Sequence, residues 1–200
     1  MINQKGQGFM EVIVAIGIMV MGIVAVLVLT SYNLTASDYA EKRLIASNLA
    51  REALEVVRNK RDSNWLAGNA WDTDFPFDPN IKSYYQLVSF TSSIGGGAYV
   101  LTDASAIDTC GDVCKLYVEA STFNHDDSGT FSGFNRVVEF QDICDETLGV
   151  DGGIIIKPIN ESCTDRDSRV GVVVTAKVQW RAGNGETRQV LIEDRIFDWR

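Results

Sequence analysis

The chain has 200 residues, of which 46% are hydrophobic and 22% are charged. This length allows one ordinary globular domain, or a smaller domain with an appendage, and the composition excludes disordered and collagen-like chains. Eighteen Lys and Arg residues against 27 Asp and Glu residues give a net charge of −9. A surface that coats nucleic acid needs a concentrated positive field, so this balance argues against nucleic acid as a partner.

The first element in chain order is an apolar run over residues 12–29, VIVAIGIMVMGIVAVLVL, which carries no charge. At a helical rise of about 1.5 Å per residue it spans roughly 27 Å, close to the hydrocarbon thickness of a bilayer. The run is apolar all round, whereas a soluble core helix has a polar face, so it predicts a transmembrane helix. Lys5 before it, with Lys42 and Arg43 after it, weakly favours a cytoplasmic N-terminus and an extracytoplasmic head.

A cleaved secretory signal peptide is the alternative interpretation of this run. The run is longer than the usual apolar region of about 7–15 residues. No A-x-A-like cleavage site follows it, although Thr30 and Ser31 are small, and Glu11 stands at its entrance. These features favour a retained helix over a cleaved signal.

Glu11 is the most informative residue in the chain. A carboxylate at membrane depth costs about 3 kcal/mol, so such a group usually has a partner. If the chain is cut after Gly6, Gln7 becomes the first residue and Glu11 the fifth, and the new α-amine is a cation in the same shallow layer. Between neighbouring staggered helices, this amine and carboxylate would meet and select the axial register.

The stretch K-G-Q-G-F-M-E over residues 5–11, followed by a long apolar helix, resembles the N-terminus of type IV pilins and pseudopilins. The resemblance implies that a prepilin peptidase cuts after Gly6, that Gln7 is N-methylated, and that Glu11 guides assembly. Gln7 stands where bacterial members usually have Phe, and it also resembles archaeal pilin-like precursors. A cut after Gly8 would restore Phe9 as the first residue but would make Glu11 the third, so the cut after Gly6 is preferred.

The resemblance also implies the partners and the location of the protein. The partners would be other pilin-like subunits, the prepilin peptidase, the inner-membrane assembly platform and membrane lipid. The protein would be a single-pass membrane protein that then enters a pilus or pseudopilus. No cofactor is implied.

Helical periodicity continues beyond the apolar run, and residues 9–61 contain no proline, which predicts one helix of about 50 residues. An i, i+4 ladder with apolar neighbours marks the face that would pack on a sheet: Ile45, Ala46, Leu49, Ala50, Ala53, Leu54 and Val57. The predicted organisation is a leader over residues 1–6, a membrane or filament-core helix over 7–30, an amphipathic helix over 31–66, and a head over 67–200.

Residues 69–82, rich in Asp, Asn and Pro, predict a loop before the sheet. Strand-like runs of β-branched and aromatic residues then follow at Tyr84–Phe90, Ala98–Thr102, Lys115–Ala120, Arg136–Ile143, Gly171–Trp180 and Arg188–Phe197. Residues 181–187 predict a hairpin turn between the last two runs. The fold class is therefore α+β, with a mostly antiparallel sheet packed on the helix, which also matches the pilin head.

The four cysteines are Cys110, Cys114, Cys144 and Cys163. An even number in a head outside the cytoplasm suggests two disulfides, and three pairings are possible. We favour Cys110–Cys114 and Cys144–Cys163, because each closes a loop flanked by Asp and Gly turn residues. A zinc site is the rival interpretation, although C-x3-C is not the usual C-x2-C spacing.

No catalytic residue, metal site or cofactor is predicted. The sequence contains no G-x-S-x-G, H-E-x-x-H or P-loop pattern, and the lone histidine, His125, lies in a polar stretch. A basic cluster at residues 58–65 complements the end of the helix dipole, with Trp65 as a remote candidate for stacking on DNA. Acidic stretches at 103–112, 125–128, 142–146 and 165–167 are candidate Ca²⁺ loops, but none has EF-hand spacing, and a solvated acidic surface is the simpler interpretation.

Three functions are compatible with these features. The favoured one is a structural subunit of a cell-envelope filament, whether major pilin, minor pilin or pseudopilin. The alternative is a membrane-anchored adhesin or binding protein that does not polymerise, and an anchored enzyme is disfavoured. Glu11 separates the first two, because a monomeric anchor has no reason to keep an acid at membrane depth.

Overall fold

The computed structural model describes residues 7–73, 75, 84–91, 97–119, 122–125, 127, 129–145, 153–159, 161–164 and 168–198. It confirms the α+β class, with one long N-terminal helix and an antiparallel sheet. The chain forms two compact units, Met1–Lys42 and Arg43–Arg200. The helix, α1, covers Gln7–Leu66 and therefore contributes to both units.

Within the described residues, eight strands and a short 3-10 helix at Gly111–Cys114 follow α1. The strands are β1 Tyr84–Thr91, β2 Gly97–Asp103, β3 Lys115–Glu119, β4 Thr122–Asn124, β5 Thr130–Asp145, β6 Ile154–Ile156, β7 Arg169–Arg181 and β8 Thr187–Phe197. All six predicted strands are present among them. The two that were not predicted, β4 and β6, have three residues each, which is too short to show a strand pattern.

Strand β5 is the centre of the sheet. It pairs with β7 along one edge, and β1, β3 and β6 share the other edge, all antiparallel. Strand β8 pairs with β7 through the predicted hairpin, whose turn is closed by a hydrogen bond from the Ala182 backbone N–H to the Glu186 carbonyl at 2.8 Å. The chain turns there at Gly185, which has a φ of +84° that glycine adopts without strain.

Sequence analysis placed the start of β5 six residues too late, at Arg136. The first residues of β5 include Ser132, Gly133 and Asn135, which have low strand propensity. The strand is also irregular there, because the β3 pair Lys115 and Tyr117 opposes Asn135 and Phe131, two residues against four. Non-local pairing with β3 and β7 therefore holds this segment extended.

One face of the sheet packs on the C-terminal part of α1. The buried helix residues are Ala46, Leu49, Ala50, Ala53, Leu54 and Val57, as the ladder predicted, and Ile45 is partly buried beside them. Their partners alternate along the strands, for example Val138 and Phe140 on β5 and Val174, Ala176 and Val178 on β7. This alternation is the period-2 pattern of a strand with one face in a core.

A buried arginine crosses this helix–sheet contact. The Arg136 side chain on β5 is fully buried, and its Nη1 donates to the Leu49 carbonyl at 3.3 Å and to the Glu52 carboxylate at 3.1 Å. A second contact joins Arg58 to Asp194 on β8 at 2.7 Å. Both pairs fix the helix axially, because each joins one helical turn to one strand position.

The connection between β2 and β3 covers part of the other sheet face. Ala104, Ile107, Cys110 and Cys114 form a small second core with Val137 of β5. The structure contains the two favoured disulfides, Cys110–Cys114 with a Cα–Cα distance of 5.7 Å and Cys144–Cys163 with 5.6 Å. The first disulfide closes the segment that packs on Val137.

Arg169, at the start of β7, lies in a buried charge cluster. Its Nη1 is 3.3 Å from Asp72, its Nη2 is 2.7 Å from Asp142, and its guanidinium lies 5.7 Å from the Trp71 ring centroid. The Asp142 carboxylate also accepts a hydrogen bond from the Cys163 backbone N–H at 3.4 Å. The cluster therefore ties the segment after α1 to β5, β7 and the second disulfide.

We predict that Arg169→Met lowers the free energy of unfolding by about 3–5 kcal/mol, because two buried carboxylates lose their cation. The full-length protein in mild detergent would be unfolded with urea and followed by tryptophan fluorescence. Arg195→Met is the matched control, since Arg195 pairs with Glu193 on the surface with more than half of each side chain exposed, and the expected change is below about 1 kcal/mol. Equal effects of the two substitutions would contradict the assigned role.

Candidate functional site

The N-terminal segment of α1 is the feature of the chain that its own fold leaves unexplained. Residues 12–37 carry no charge, and the first charged residue after Glu11 is Asp38. The apolar side chains on every side of this segment are exposed, from Phe9, Met10 and Val12 to Leu27, Val28 and Leu29. The helix is long and apolar enough to cross a bilayer, so α1 is a candidate single membrane span.

Glu11 lies exposed in this apolar surface, about one helical turn after Gln7. No ion pair or side-chain hydrogen bond joins Glu11 to another residue within the part of the chain that the structure describes. Gly6 lies outside the described residues, as does the Gln7 side chain, so the structure brings only the backbone of Gln7 and the Glu11 side chain into one helical turn.

From Thr30 onward, polar and then charged side chains appear on α1. The Thr30 hydroxyl donates to the Val26 carbonyl at 2.8 Å and the Thr35 hydroxyl to the Ser31 carbonyl at 3.1 Å, so these polar side chains satisfy themselves within the helix. The Asp38–Lys42 ion pair, at 3.1 Å, then marks a surface suited to water. An apolar N-terminal stretch and a polar continuation therefore follow each other on one helix.

The basic cluster at the end of α1 is occupied by contacts within the head. Arg61 lies 4.7 Å from the Trp65 ring centroid and pairs with Asp62 at 2.8 Å, while Arg58 pairs with Asp194. Asn64 is buried and donates to the carbonyls of Trp71 and Thr73. Of these contacts, Arg58–Asp194 joins the end of α1 to the sheet, and the others lie within α1 or join it to the turn that follows.

The candidate Ca²⁺ loops divide between described and undescribed residues. Within the described ranges, no group of three or more His, Cys, Asp or Glu side chains is placed to hold a metal ion. Asp112 pairs with Lys115, and Asp142 is engaged by Arg169 and Cys163. The stretch at 165–167 lies outside the described residues, as do parts of 125–128 and 142–146.

His125 lies in the polar stretch between β4 and β5, and the sequence did not predict its burial. It follows β4 and is largely buried near the backbone of Val113 and Lys115. Burial lowers the pKa of His125 to about 3, and the positive charge of Arg136 acts in the same direction. No thiol is available to it as a nucleophile, since both disulfides together contain all four cysteines.

Sequence analysis missed one further feature, a polar groove on the sheet face opposite α1. Asn135 on β5, Gln179 on β7 and Gln189 on β8 stand in register across three strands and line it. The alternation of side chains along each strand could have indicated these positions. It would have done so for Asn135 only if β5 had been predicted to begin at Thr130 rather than at Arg136. The register between the strands, which comes from pairing far apart in sequence, was out of reach.

Comparison of the chain with protein-family models, with curated proteins and with solved structures finds no match in any of the three.

We predict that His125 makes the protein less stable as the pH falls from about 6.5 toward 3. The pKa is about 3 in the folded state and about 6.5 in the unfolded chain, so the unfolded state binds the proton first and gains free energy across this window. The slope is at most about 1.4 kcal/mol per pH unit. Urea unfolding between pH 7 and pH 5 measures it, because few carboxylates titrate there.

His125→Phe keeps a ring at this position and removes the titrating group. The variant should therefore lose most of the slope between pH 7 and pH 5, and His125 is the only histidine in the chain. Equal slopes for the two proteins would show that His125 is protonated as easily in the folded state as in the unfolded chain.

Proposed function

We propose that the protein is a pilin-like structural subunit of a cell-envelope filament, matured by a prepilin peptidase between Gly6 and Gln7. The observation that carries the proposal is Glu11, a carboxylate on an exposed, uncharged apolar helix without a partner among the described residues. A charge in apolar surroundings costs several kcal/mol unless it is paired. A partner that the fold does not supply is best supplied by another subunit.

The cation in this proposal is the α-amine of Gln7 on a neighbouring subunit, created by cleavage after Gly6. Within one helix the amine and the carboxylate lie about 6 Å apart along the axis. Between two helices shifted axially by that distance they meet. The pairing would then select one stagger between successive subunits while the apolar side chains supply most of the buried area.

The exposed apolar surface fits two successive environments. Before assembly it would lie in the membrane, with lipid covering the side chains between Val12 and Leu29. In a filament the same side chains would pack against helices of other subunits. The non-polymerising anchor remains the alternative function, since lipid alone covers the apolar surface equally well, but it leaves Glu11 without a partner.

The first prediction from this proposal concerns processing. Mass spectrometry of the protein from its native host should show a chain that begins at Gln7, with a methyl group on the new amine. Gly6→Val should block the cut, because a branched side chain hinders close approach of the peptidase to the backbone. An intact Met1 terminus, or a cut beyond residue 30, would contradict the proposal.

Gly8→Val is the matched control for the cleavage site. A Cβ at Gly8 meets no atom within 4 Å, so the helix accepts the substitution. Cleavage should therefore persist in Gly8→Val if the peptidase acts after Gly6. Loss of cleavage in Gly8→Val alone would instead assign the cut to Gly8.

The second prediction concerns assembly. Glu11→Val should leave membrane abundance unchanged or raised, since the charge penalty disappears. It should lower incorporation into filaments by at least about tenfold, equivalent to about 1.4 kcal/mol, because a docking subunit loses its ion pair. Glu11→Asp should be intermediate, since the charge remains but its reach is shorter by one methylene. The measurement compares membrane fractions with filaments sheared from the cell surface.

Glu41→Val is the control for loss of a carboxylate from the helix, because Glu41 is exposed beyond the uncharged segment. It should assemble normally. Normal incorporation of Glu11→Val would show that this pairing does not direct docking. Wild-type protein that is never found in a filament would favour the anchored monomer.

A further inference from the structure

The groove on the sheet face opposite α1 is an open polar depression with a volume of about 560 Å³. Its floor is the row of amides from three adjacent strands: Asn135 faces Gln179, and Gln179 faces Gln189. Side chains at paired positions stand next to each other on the same face, about 5 Å apart at Cβ. Thr187, two residues before Gln189, extends the same row at the groove end.

The wall of the groove comes from the connection between β2 and β3. Asp108 and Gly111 line the groove, and the neighbouring Ile107 and Cys110 belong to the small core on Val137. The Gln179 Nε2 donates to the Asp108 Oδ1 at 2.8 Å, which joins wall to floor. The Cys110–Cys114 disulfide encloses Gly111 and so restricts this part of the wall.

The lining has a specific chemistry. Side-chain amides each offer donors and an acceptor, and Thr187 offers a hydroxyl. Among the described lining residues, Asp108 alone is charged, and its carboxylate opposes phosphates and other anions. Ile107 alone among them has an apolar side chain, which is too little for a hydrophobic ligand. The groove therefore suits a neutral ligand with many hydrogen-bonding groups.

One polar atom in the lining lacks a partner. The Asn135 Oδ1 is shielded from solvent and has no hydrogen-bond partner within the described part of the chain. Buried polar atoms in folded proteins are almost always satisfied, so this oxygen would gain a donor if the Asn135 side chain turned it toward the groove. A hydroxyl group serves either orientation of the amide, since it both donates and accepts.

From this geometry we propose that the groove binds a neutral saccharide, of one or two sugar units, through the amides of Asn135, Gln179 and Gln189. The volume lies within the usual range for small-molecule sites. Adjacent sugar hydroxyls present alternating donors and acceptors, and the amide row offers matching groups strand by strand. The Asp108 carboxylate would accept from a further hydroxyl, as carboxylates accept strong hydrogen bonds.

Binding is tested on the purified full chain in a zwitterionic detergent that has no sugar headgroup. The probes are glucose, galactose, mannose, N-acetylglucosamine, lactose and maltose, each followed by saturation-transfer NMR and titration calorimetry. At least one of them should bind at millimolar concentration or tighter. The measurement needs no filament, so its outcome is independent of the proposed function.

Gln189→Ala is the principal variant, because Gln189 is exposed at the groove and its truncation spares the core. Loss of its hydrogen bonds should weaken saccharide binding by about fivefold to tenfold. Asn135→Leu should weaken it similarly. Gln141→Ala is the matched control: Gln141 lies on the same face of β5, outside the groove, and donates to the Lys157 carbonyl. Its affinity should equal that of the wild type.

Three results would overturn the proposal. They are the absence of saturation transfer from every probe, equal affinity of wild type and Gln189→Ala for the saccharide that binds, and binding of inorganic phosphate in place of any saccharide. Because Gln189 is exposed, misfolding of Asn135→Leu would leave the test on Gln189→Ala decisive.

Discussion

The head of this protein depends on the close packing of a small-residue face of α1 on the sheet. Ala46, Ala50 and Ala53 have no exposed surface, and alanine has no side chain beyond Cβ to hold the helix away. The backbone of α1 therefore comes within reach of Arg136, whose guanidinium meets the Leu49 carbonyl. A larger side chain at any of these alanines would separate the two layers and leave a fully buried cation without its acceptors.

The N-terminal segment of α1 needs different surroundings from its C-terminal part. A single apolar face, as in residues 46–57, is covered by one sheet. An all-round apolar surface, as in residues 12–29, is satisfied only by an apolar medium or by several neighbouring helices. Glu11 lies at the entrance to this surface, so the strongest constraint on function is a single charge whose partner the described fold does not provide.

Features that depend on a local sequence pattern could be predicted, whereas contacts between residues far apart in sequence could not. The helix, six strands, the Gly185 turn and the favoured cysteine pairing were predictable, since each is encoded within a short window of sequence. The ion pairs of Arg169 with Asp72 and Asp142 were not predictable, because tertiary packing brings these residues together from 97 and 27 positions apart. The environment of His125 was not predictable for the same reason: its neighbours in sequence are polar, but residues distant in sequence shield its ring. Gly6 and Glu11 stay predictions, since their roles concern other molecules.

The two proposed roles use different parts of the chain. Residues 46–57 of α1 cover one face of the sheet, and the amide groove opens on the other. Successive residues of a strand point to opposite faces, so Phe134 and Trp180 belong to the helix-side core while their neighbours Asn135 and Gln179 line the groove. The sequence of β5 and β7 thus specifies two surfaces at once. The groove is lined wholly by residues of the unit Arg43–Arg200, so a saccharide site there would need no contribution from the N-terminal segment.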